Sequence, residues 1–410
     1  MVSKVEMKGT ANILKSVYIL FAIGASWLLL IASGPAALSG PAAFGVAAAS
    51  TQTASGLVEA GSLDSLGIKW WNPAQHPFHT IEGQAWPEEV NDFYDRLPAR
   101  AEKTVRDAVW NLSRESAGLL IRFRSDAPEI QVRYTVKDAH AMPHMPATGV
   151  SGLDLYALDK DGQWEWASGK FSFGDTITYH FRSLPGNTKR EYHLYLPLYN
   201  KVTWLEIGVS ANAEMTPLPP RKEKPLVIYG TSIAQGGCAS RPGLAWTAIL
   251  GRMLHRPVIN LAFSGNGRLE PALNDLLAEL EPALFIIDCL PNMSGFPDDT
   301  IKTRLINTVT LLRKKRPGTP VLVTENADAS INSLNTAREE NFDRVNRLAG
   351  AALRTLKSTG LRQVHLLSAK ETALGIESTV DGVHPNDIGM MQYARAYEKR
   401  IKQILEGTGE

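Results

Sequence analysis

Apolar and polar residues alternate in short runs over the first half of the chain and fall into longer, helix-like repeats over the second. Between about 64 and 213, the segments GLLIRFRS (118–125), EIQVRYTV (129–136), LDLYALD (153–159), TITYHFR (176–182), EYHLYLPL (191–198) and TWLEIGV (203–209) largely alternate and are separated by turn residues. Successive side chains of a strand point to opposite faces, so such runs read as half-buried strands, and several in succession predict an all-β sandwich. Residues 214–225, EMTPLPPRKEKP, hold four prolines and a cluster of charges. That composition resists both helix and central strand and reads as a linker. Beyond it LVIYG (226–230), VINLAF (258–263), LFIIDCL (284–290), VLVTE (321–325) and VHLLS (364–368) alternate with longer segments of helical period. Strands spaced by crossover helices predict a parallel sheet and a three-layer α/β/α domain over 226–406.

Composition narrows the possibilities without choosing among them. The 410 residues, 44% of them hydrophobic, suffice for two cores. Lys and Arg together number 43 against 42 Asp and Glu, so the chain lacks the basic excess that neutralises phosphates, and nucleic acid is not an expected partner. The two cysteines, Cys238 and Cys289, form no CxxC pair for zinc. Both follow strands and are candidates for a disulfide, although burial in a turn and a strand favours two free thiols.

The N-terminus carries Lys4, Lys8 and Lys15, then an uncharged apolar run at 17–33, then a small-residue stretch ending FGVAAAS (44–50). Basic, apolar and small, in that order, is the pattern of a secretory signal, with Ala47 and Ala49 at a candidate cleavage site. The apolar run is also near the length of a membrane span, so an uncleaved anchor over 1–50 competes. Either reading exports the rest of the chain, and only this segment would touch a membrane.

The turn after the strand at 226–230 reads GTSIAQGG. No lysine follows Gly236 or Gly237, which removes a P-loop, and the glycine spacing does not supply a dinucleotide fingerprint. Ser232 is then a helix cap, a turn residue or a nucleophile. Near the C-terminus TVDGVHPND (379–387) sets Asp381 three residues before His384, in a segment that Gly382 and Pro385 should hold as a turn. A carboxylate that close can fix an imidazole's tautomer and leave its other nitrogen free to take a serine proton. Two more strands end in SGNG (264–267) and in LPNM (290–293). Glycine lets a backbone N–H face a ligand, so the N–H groups of Ser232 and Gly265 and the Asn292 amide form a candidate oxyanion-binding set.

GTSI, SGNG, LPNM and DGVHP, in this order and at these strand ends, resemble the four sequence blocks of the SGNH (GDSL-type) hydrolases. The resemblance covers about 226–406 and implies a flavodoxin-like sheet. It gives Ser232 the nucleophile's position, Gly265 and Asn292 the oxyanion positions, and Asp381 and His384 the rest of a triad. Thr231 departs from the usual Asp of GDS. MPHMPATGVSGLDLY (142–156) and GGCASRPG (236–243) resemble the subgroup in which a jelly-roll-like sandwich with a GxDLY motif, here Gly152, Asp154 and Tyr156, precedes the esterase domain.

Asp154 and Tyr156 lie on a predicted strand and read first as structural. His144 sits among prolines and methionines in a predicted loop, where binding groups are often carried, and is a candidate substrate ligand. Asp288 could be taken for a triad acid, but inside a strand it reads as a buried, hydrogen-bonded structural acid. Trp70, Trp71, Trp86, Trp164 and Trp166 suit a core or a domain interface better than a sugar platform. The residues and the resemblance together imply an exported serine esterase, removing acetyl or similar small acyl groups from a glycan, that needs no metal or organic cofactor. Its expected partner is an acylated carbohydrate or another small ester; a lipid esterase or thioesterase and an inactive glycan-binding protein are the competing readings.

Overall fold

The computed structural model describes residues 63–186, 188–327 and 334–407; the signal or anchor segment read at 1–50 lies outside the described residues. Strands β1 (Ile68–Trp71), β2 (Ile81–Glu82), β3 (Leu120–Ser125), β4 (Ile130–Val136), β5 (Asp154–Leu158), β6 (Trp164–Ala167), β7 (Gly169–Ser172), β8 (Ile177–Phe181), β9 (Arg190–Tyr195), β10 (Val202–Ser210) and β11 (Met215–Pro217) build the first domain. They form two antiparallel sheets, ordered β1-β10-β4-β8-β7 and β11-β3-β9-β5-β6, with β2 beside β3. In β4 the residues Ile130, Val132 and Tyr134 are buried while their neighbours are not, the two-residue period that the sequence displays. Phe123, Tyr134, Phe181 and Tyr192 fill the space between the sheets.

Two departures from the sequence reading have physical causes. The edge strands β6 and β7 are mostly unburied, so no alternation marks them. Residues 215–217, inside the predicted linker, pair with β3 from the sheet edge, where a proline's missing N–H costs no ladder bond. The rest of that segment is pinned rather than loose: Arg221 donates from its backbone N to the buried Glu82 carboxylate at 2.9 Å.

The second half contains β12 (Leu226–Gly230), β13 (Val258–Ala262), β14 (Leu284–Asp288), β15 (Val321–Thr324) and β16 (Val364–Leu367), all parallel in the order β13-β12-β14-β15-β16. The helices that matter for the site are α1 (Trp246–Met253), α2 (Pro271–Glu279), α3 (Asp298–Lys315), α4 (Thr336–Ser358) and α5 (Asp387–Leu405). Val227 and Tyr229 of β12 pack with α2, α3 and α4; Leu226 and Ile228 pack with α1 and α5. Both faces of the sheet are thus covered, giving three layers. Gly230 lies opposite Ala262 and Asp288 in the register, so the turns that follow β12, β13 and β14 open onto one rim.

The two domains share their cores. Trp86, Leu97, Val109 and Trp110, which precede β3, pack among side chains of β12, β13 and α2, while Met145, Val150, Leu198 and Tyr199 join the core on the other face. Trp86 also donates to Glu279 at 2.9 Å, so it serves the interface. The GxDLY motif supplies the polar part of the junction. Asp154 accepts from Arg241 Nη1 at 2.6 Å, from the Gly243 N–H at 2.9 Å and from Trp166 Nε1 at 2.6 Å. The Arg241 guanidinium lies over the Trp166 ring at 4.2 Å, and the Tyr156 hydroxyl accepts from Arg241 at 2.8 Å. A Cβ at Gly243 would come within 2.3 Å of the Tyr156 ring, so only glycine permits this approach.

Asp154→Ala leaves Arg241 without its buried partner, and loss of one member of such a pair typically costs about 3 kcal/mol or more. Chemical denaturation should show a lowered unfolding midpoint for this variant; a midpoint equal to wild type would remove the motif from the junction's energetics.

Candidate active site

Ser232 begins the short helix Ser232–Gln235 immediately after β12 and is 8% exposed. Thr231, the residue that departs from GDS, caps that helix by accepting the Ile233 N–H at 3.4 Å. Ser232 Oγ lies 2.8 Å from His384 Nε2, and His384 Nδ1 lies 2.7 Å from Asp381 Oδ2. A carboxylate only accepts, so the second contact places the imidazole proton on Nδ1 and leaves Nε2 as an acceptor facing the hydroxyl. Asp381 Oδ1 accepts the N–H groups of Val383 and His384 at 2.9 and 2.8 Å, which fold the DGVH segment back on its own carboxylate. Partial burial opposes charge on Asp381, yet the His384 N–H and imidazole outweigh it and hold the carboxyl below its usual range. The imidazole side chain is 25% exposed and the carboxylate 48%, so the relay stands at the surface of the rim.

The two other turns meet this relay from the neighbouring strands. Gly265 adopts φ +67° with open space where a Cβ would be, the left-handed conformation that glycine takes without strain. Asn292 Oδ1 accepts the Gly267 N–H at 3.0 Å. That bond orients the amide and leaves Nδ2 without a partner among the described residues. The arrangement offers a hydroxyl polarised by an imidazole and N–H donors on adjacent strand ends, which is what addition to a carbonyl requires.

His144 arrives from the first domain. Met142 and Met145 exchange both backbone hydrogen bonds at 3.1 Å, leaving Pro143 and His144 at the tip of a tight turn. Met145 is buried beside Ile233, Ala234 and Cys238, and Thr148 donates to Ser240 O at 2.7 Å. The turn is thereby held on the α/β domain, with the exposed His144 ring centred 6.2 Å from that of His384.

Cys238 and Cys289 are both buried and free, and burial pushes the Cys238 thiol up to about 11. Asp288 stands at the end of β14, 1% exposed, with Oδ2 unpartnered among the described residues. Its burial agrees with its place in a strand, but Oδ2 lacks, among those residues, the hydrogen bond expected of a buried structural acid. Two residues beneath Ser232 escaped the sequence reading: Gln235, whose Oε1 accepts the Ser264 N–H at 2.8 Å, and Tyr199, whose hydroxyl donates to Ser232 O at 3.2 Å. Gln235 lies in the GTSIAQGG turn but only its serine drew the reading, and Tyr199 comes from the other domain.

Comparison with known proteins agrees with this architecture. Residues 223–402 match the GDSL-like lipase/acylhydrolase family, and residues 68–215 match the GxDLY N-terminus of SGNH-hydrolase-type esterases. A crystal structure of a proposed GDSL-like lipase from Bacteroides ovatus ATCC 8483 is 31% identical, with a TM-score of 0.76 over 83% of this chain and 98% of that one. The salicylyl-acyltransferase SsfX3 from a tetracycline biosynthetic pathway shares the fold at 20% identity and a TM-score of 0.67, over 83% of this chain and 98% of its own. A family two carbohydrate esterase from Cellvibrio japonicus does so at 12% identity and a TM-score of 0.51, with the same coverage. No curated protein matches the chain significantly. The chain belongs to the GDSL-like lipase/acylhydrolase family, in the subgroup with an N-terminal GxDLY domain, and is an ester-hydrolysing enzyme.

Burial raises the Asp288 carboxyl to about 7, with the nearby Tyr397 hydroxyl working against the rise. A carboxyl raised in the folded state binds more protons there than when unfolded, so its stabilisation is lost as pH rises from the unfolded value through about 7. Asp288→Asn removes that titration. Its melting temperature relative to wild type should increase by several degrees between pH 5 and pH 8, and a constant difference across that interval would contradict the assignment.

Proposed function

We propose that the protein is an exported serine esterase that removes acetyl or similarly small acyl groups from a carbohydrate. The observation that carries the chemistry is the continuous relay of 2.8 and 2.7 Å from Ser232 through His384 to Asp381. Ser232 Oγ attacks the ester carbonyl carbon and gives its proton to His384 Nε2. The negative charge that develops on the carbonyl oxygen is met by the N–H groups of Ser232 and Gly265 and by Asn292 Nδ2. Collapse breaks the bond to the alcohol, which leaves with the proton from His384. Water then adds to the acyl-enzyme with His384 again as base, releasing the acid and restoring Ser232.

A relay whose imidazole and carboxylate reach the surface of the rim suits a hydrophilic alcohol too bulky to enter a tunnel. The His144 turn, held beside His384 by the first domain, supplies a wall and a hydrogen-bonding group for that alcohol. The fold is one on which carbohydrate esters are hydrolysed, as in the Cellvibrio japonicus enzyme. The basic, apolar and small-residue order of residues 1–50 supports export.

A panel of acetylated oligosaccharides and p-nitrophenyl esters of increasing chain length, with Ser232→Ala as blank, tests this reading. Turnover should be greatest for acetyl and absent in the blank. Rising activity with chain length would move the enzyme to lipid substrates, and no turnover of any ester would favour a binding protein.

Asn292→Ala should lower kcat by about 10²- to 10³-fold with little change in KM, because its donor acts on charge present only in the transition state. An effect confined to KM would reassign Asn292 to substrate binding. His144→Ala should lower kcat/KM on an acetylated oligosaccharide by about tenfold while changing p-nitrophenyl acetate turnover little, with the melting temperature nearly unchanged. Equal losses on both substrates would contradict a role in holding the sugar.

A further inference from the structure

Beneath Ser232 a chain of partly buried hydrogen bonds runs from the first domain to the turn that carries Gly265. Gln235, fully buried, donates from Nε2 to a carboxylate oxygen of Glu115 and to Leu198 O at 3.2 Å, while its Oε1 accepts the Ser264 N–H at 2.8 Å. Glu115 and Leu198 belong to the first domain, and Ser264 immediately precedes Gly265. Arg96 closes the arrangement from behind. Its Nη1 donates to Asn260 O and Ala262 O at 3.1 and 2.8 Å, its Nε to Glu115 O at 2.7 Å and its Nη2 to Leu112 O at 2.6 Å. The guanidinium also lies 5.0 Å from the centre of the Phe263 ring. The last residues of β13 are therefore held by Arg96 of the other domain, and the Ser264 N–H by Gln235, which Glu115 and Leu198 of that domain hold in turn.

The geometry of the peptide makes this hold matter. Peptide units are planar, so once the N–H of Ser264 is fixed, only the two dihedrals of Ser264 stand between it and the Gly265 N–H. The Gln235 amide is planar as well, and holding its nitrogen end on Glu115 fixes where its oxygen end can receive Ser264. Gly265 itself, a glycine in the left-handed region with open space where a Cβ would be, has no side chain packed against neighbours to hold it in place. Burial pushes the Glu115 carboxyl up to about 7 against the pull of Arg96, but protonated or ionised it keeps an acceptor oxygen for Gln235.

We propose that Glu115 of the first domain is a positioning residue for the Gly265 oxyanion donor, acting through Gln235. The inference rests on the reading of Gly265 as a donor in ester hydrolysis. It assigns the first domain a part in the chemical step, separate from the contact that His144 makes with the substrate side.

The test compares wild type, Glu115→Ala, Glu115→Gln and Gln235→Met on p-nitrophenyl acetate, with Ser232→Ala as blank. Glu115→Ala should lower kcat by about tenfold or more with KM within about twofold, since misplacing a donor weakens the transition state and not the ground state. Glu115→Gln keeps an acceptor in place and should recover kcat to within about threefold of wild type. A purely structural carboxylate would instead lower the melting temperature and leave kcat alone. Should Glu115→Ala fail to fold, Gln235→Met carries the same expectation, because it breaks the link at its middle while conserving volume.

A wild-type kcat in the alanine variant, a loss confined to KM, or a glutamine variant as slow as the alanine one overturns the inference while leaving the esterase intact. A wild-type protein that hydrolyses no ester overturns the proposed function, and the inference with it.

Discussion

The Asp154 carboxylate is the constraint around which the two halves are organised. Nearly buried, it accepts from Arg241 and Gly243 on one side and Trp166 on the other. A carboxylate in such a place is tolerable only when its lone pairs are met, and here a loop of the α/β domain meets one oxygen and Trp166 the other. That loop continues directly from the helix of Ser232 through Gly236 to Gly243, so the same bonds that neutralise Asp154 limit how far the serine's helix can shift. Local polar pairing in the GxDLY motif thus becomes placement at the rim, about ten residues earlier along the chain.

Apolar packing does the rest. Side chains that precede β3 enter one face of the α/β core, and those near Met145 and Tyr199 enter the other. Each large side chain buried this way contributes about 2 kcal/mol. The His144 turn and the Tyr199 hydroxyl reach the site as extensions of that packing. Rigidity at the rim therefore comes from a sandwich whose own sheets lie elsewhere, as functional groups are best held by elements that cannot relax around them.

Much of this was legible in the sequence because its signals are local. Two-residue alternation marked β3, β4, β8 and β10, and the change of period marked the parallel sheet. Ser232, Gly265, Asn292, Asp381 and His384 stood out because each lies in a strand-end turn or a short Asp-x-x-His spacing, and those turns do converge. Strands β1, β6 and β7 carried no such signal, being short or half-exposed. Proline masked β11. The Glu115–Gln235 pair joins residues 120 positions apart; Gln235 stands in the GTSIAQGG turn, but nothing in that turn points to Glu115. A buried contact between domains leaves no periodicity to read, only a polar residue whose partner is distant in the chain.

The shared core has a consequence for how such a chain can change over time. Arg96 spends its donors on Asn260 O and Ala262 O, carbonyls at the end of a strand in the other half. Recombination that joined this α/β half to an unrelated sandwich would strand those carbonyls and bare the apolar surface that Trp86 and Trp110 cover. The junction can therefore be inherited only as a unit, and new specificity has to arise by changing surface turns such as Pro143–His144, which reach the rim without bearing the seam.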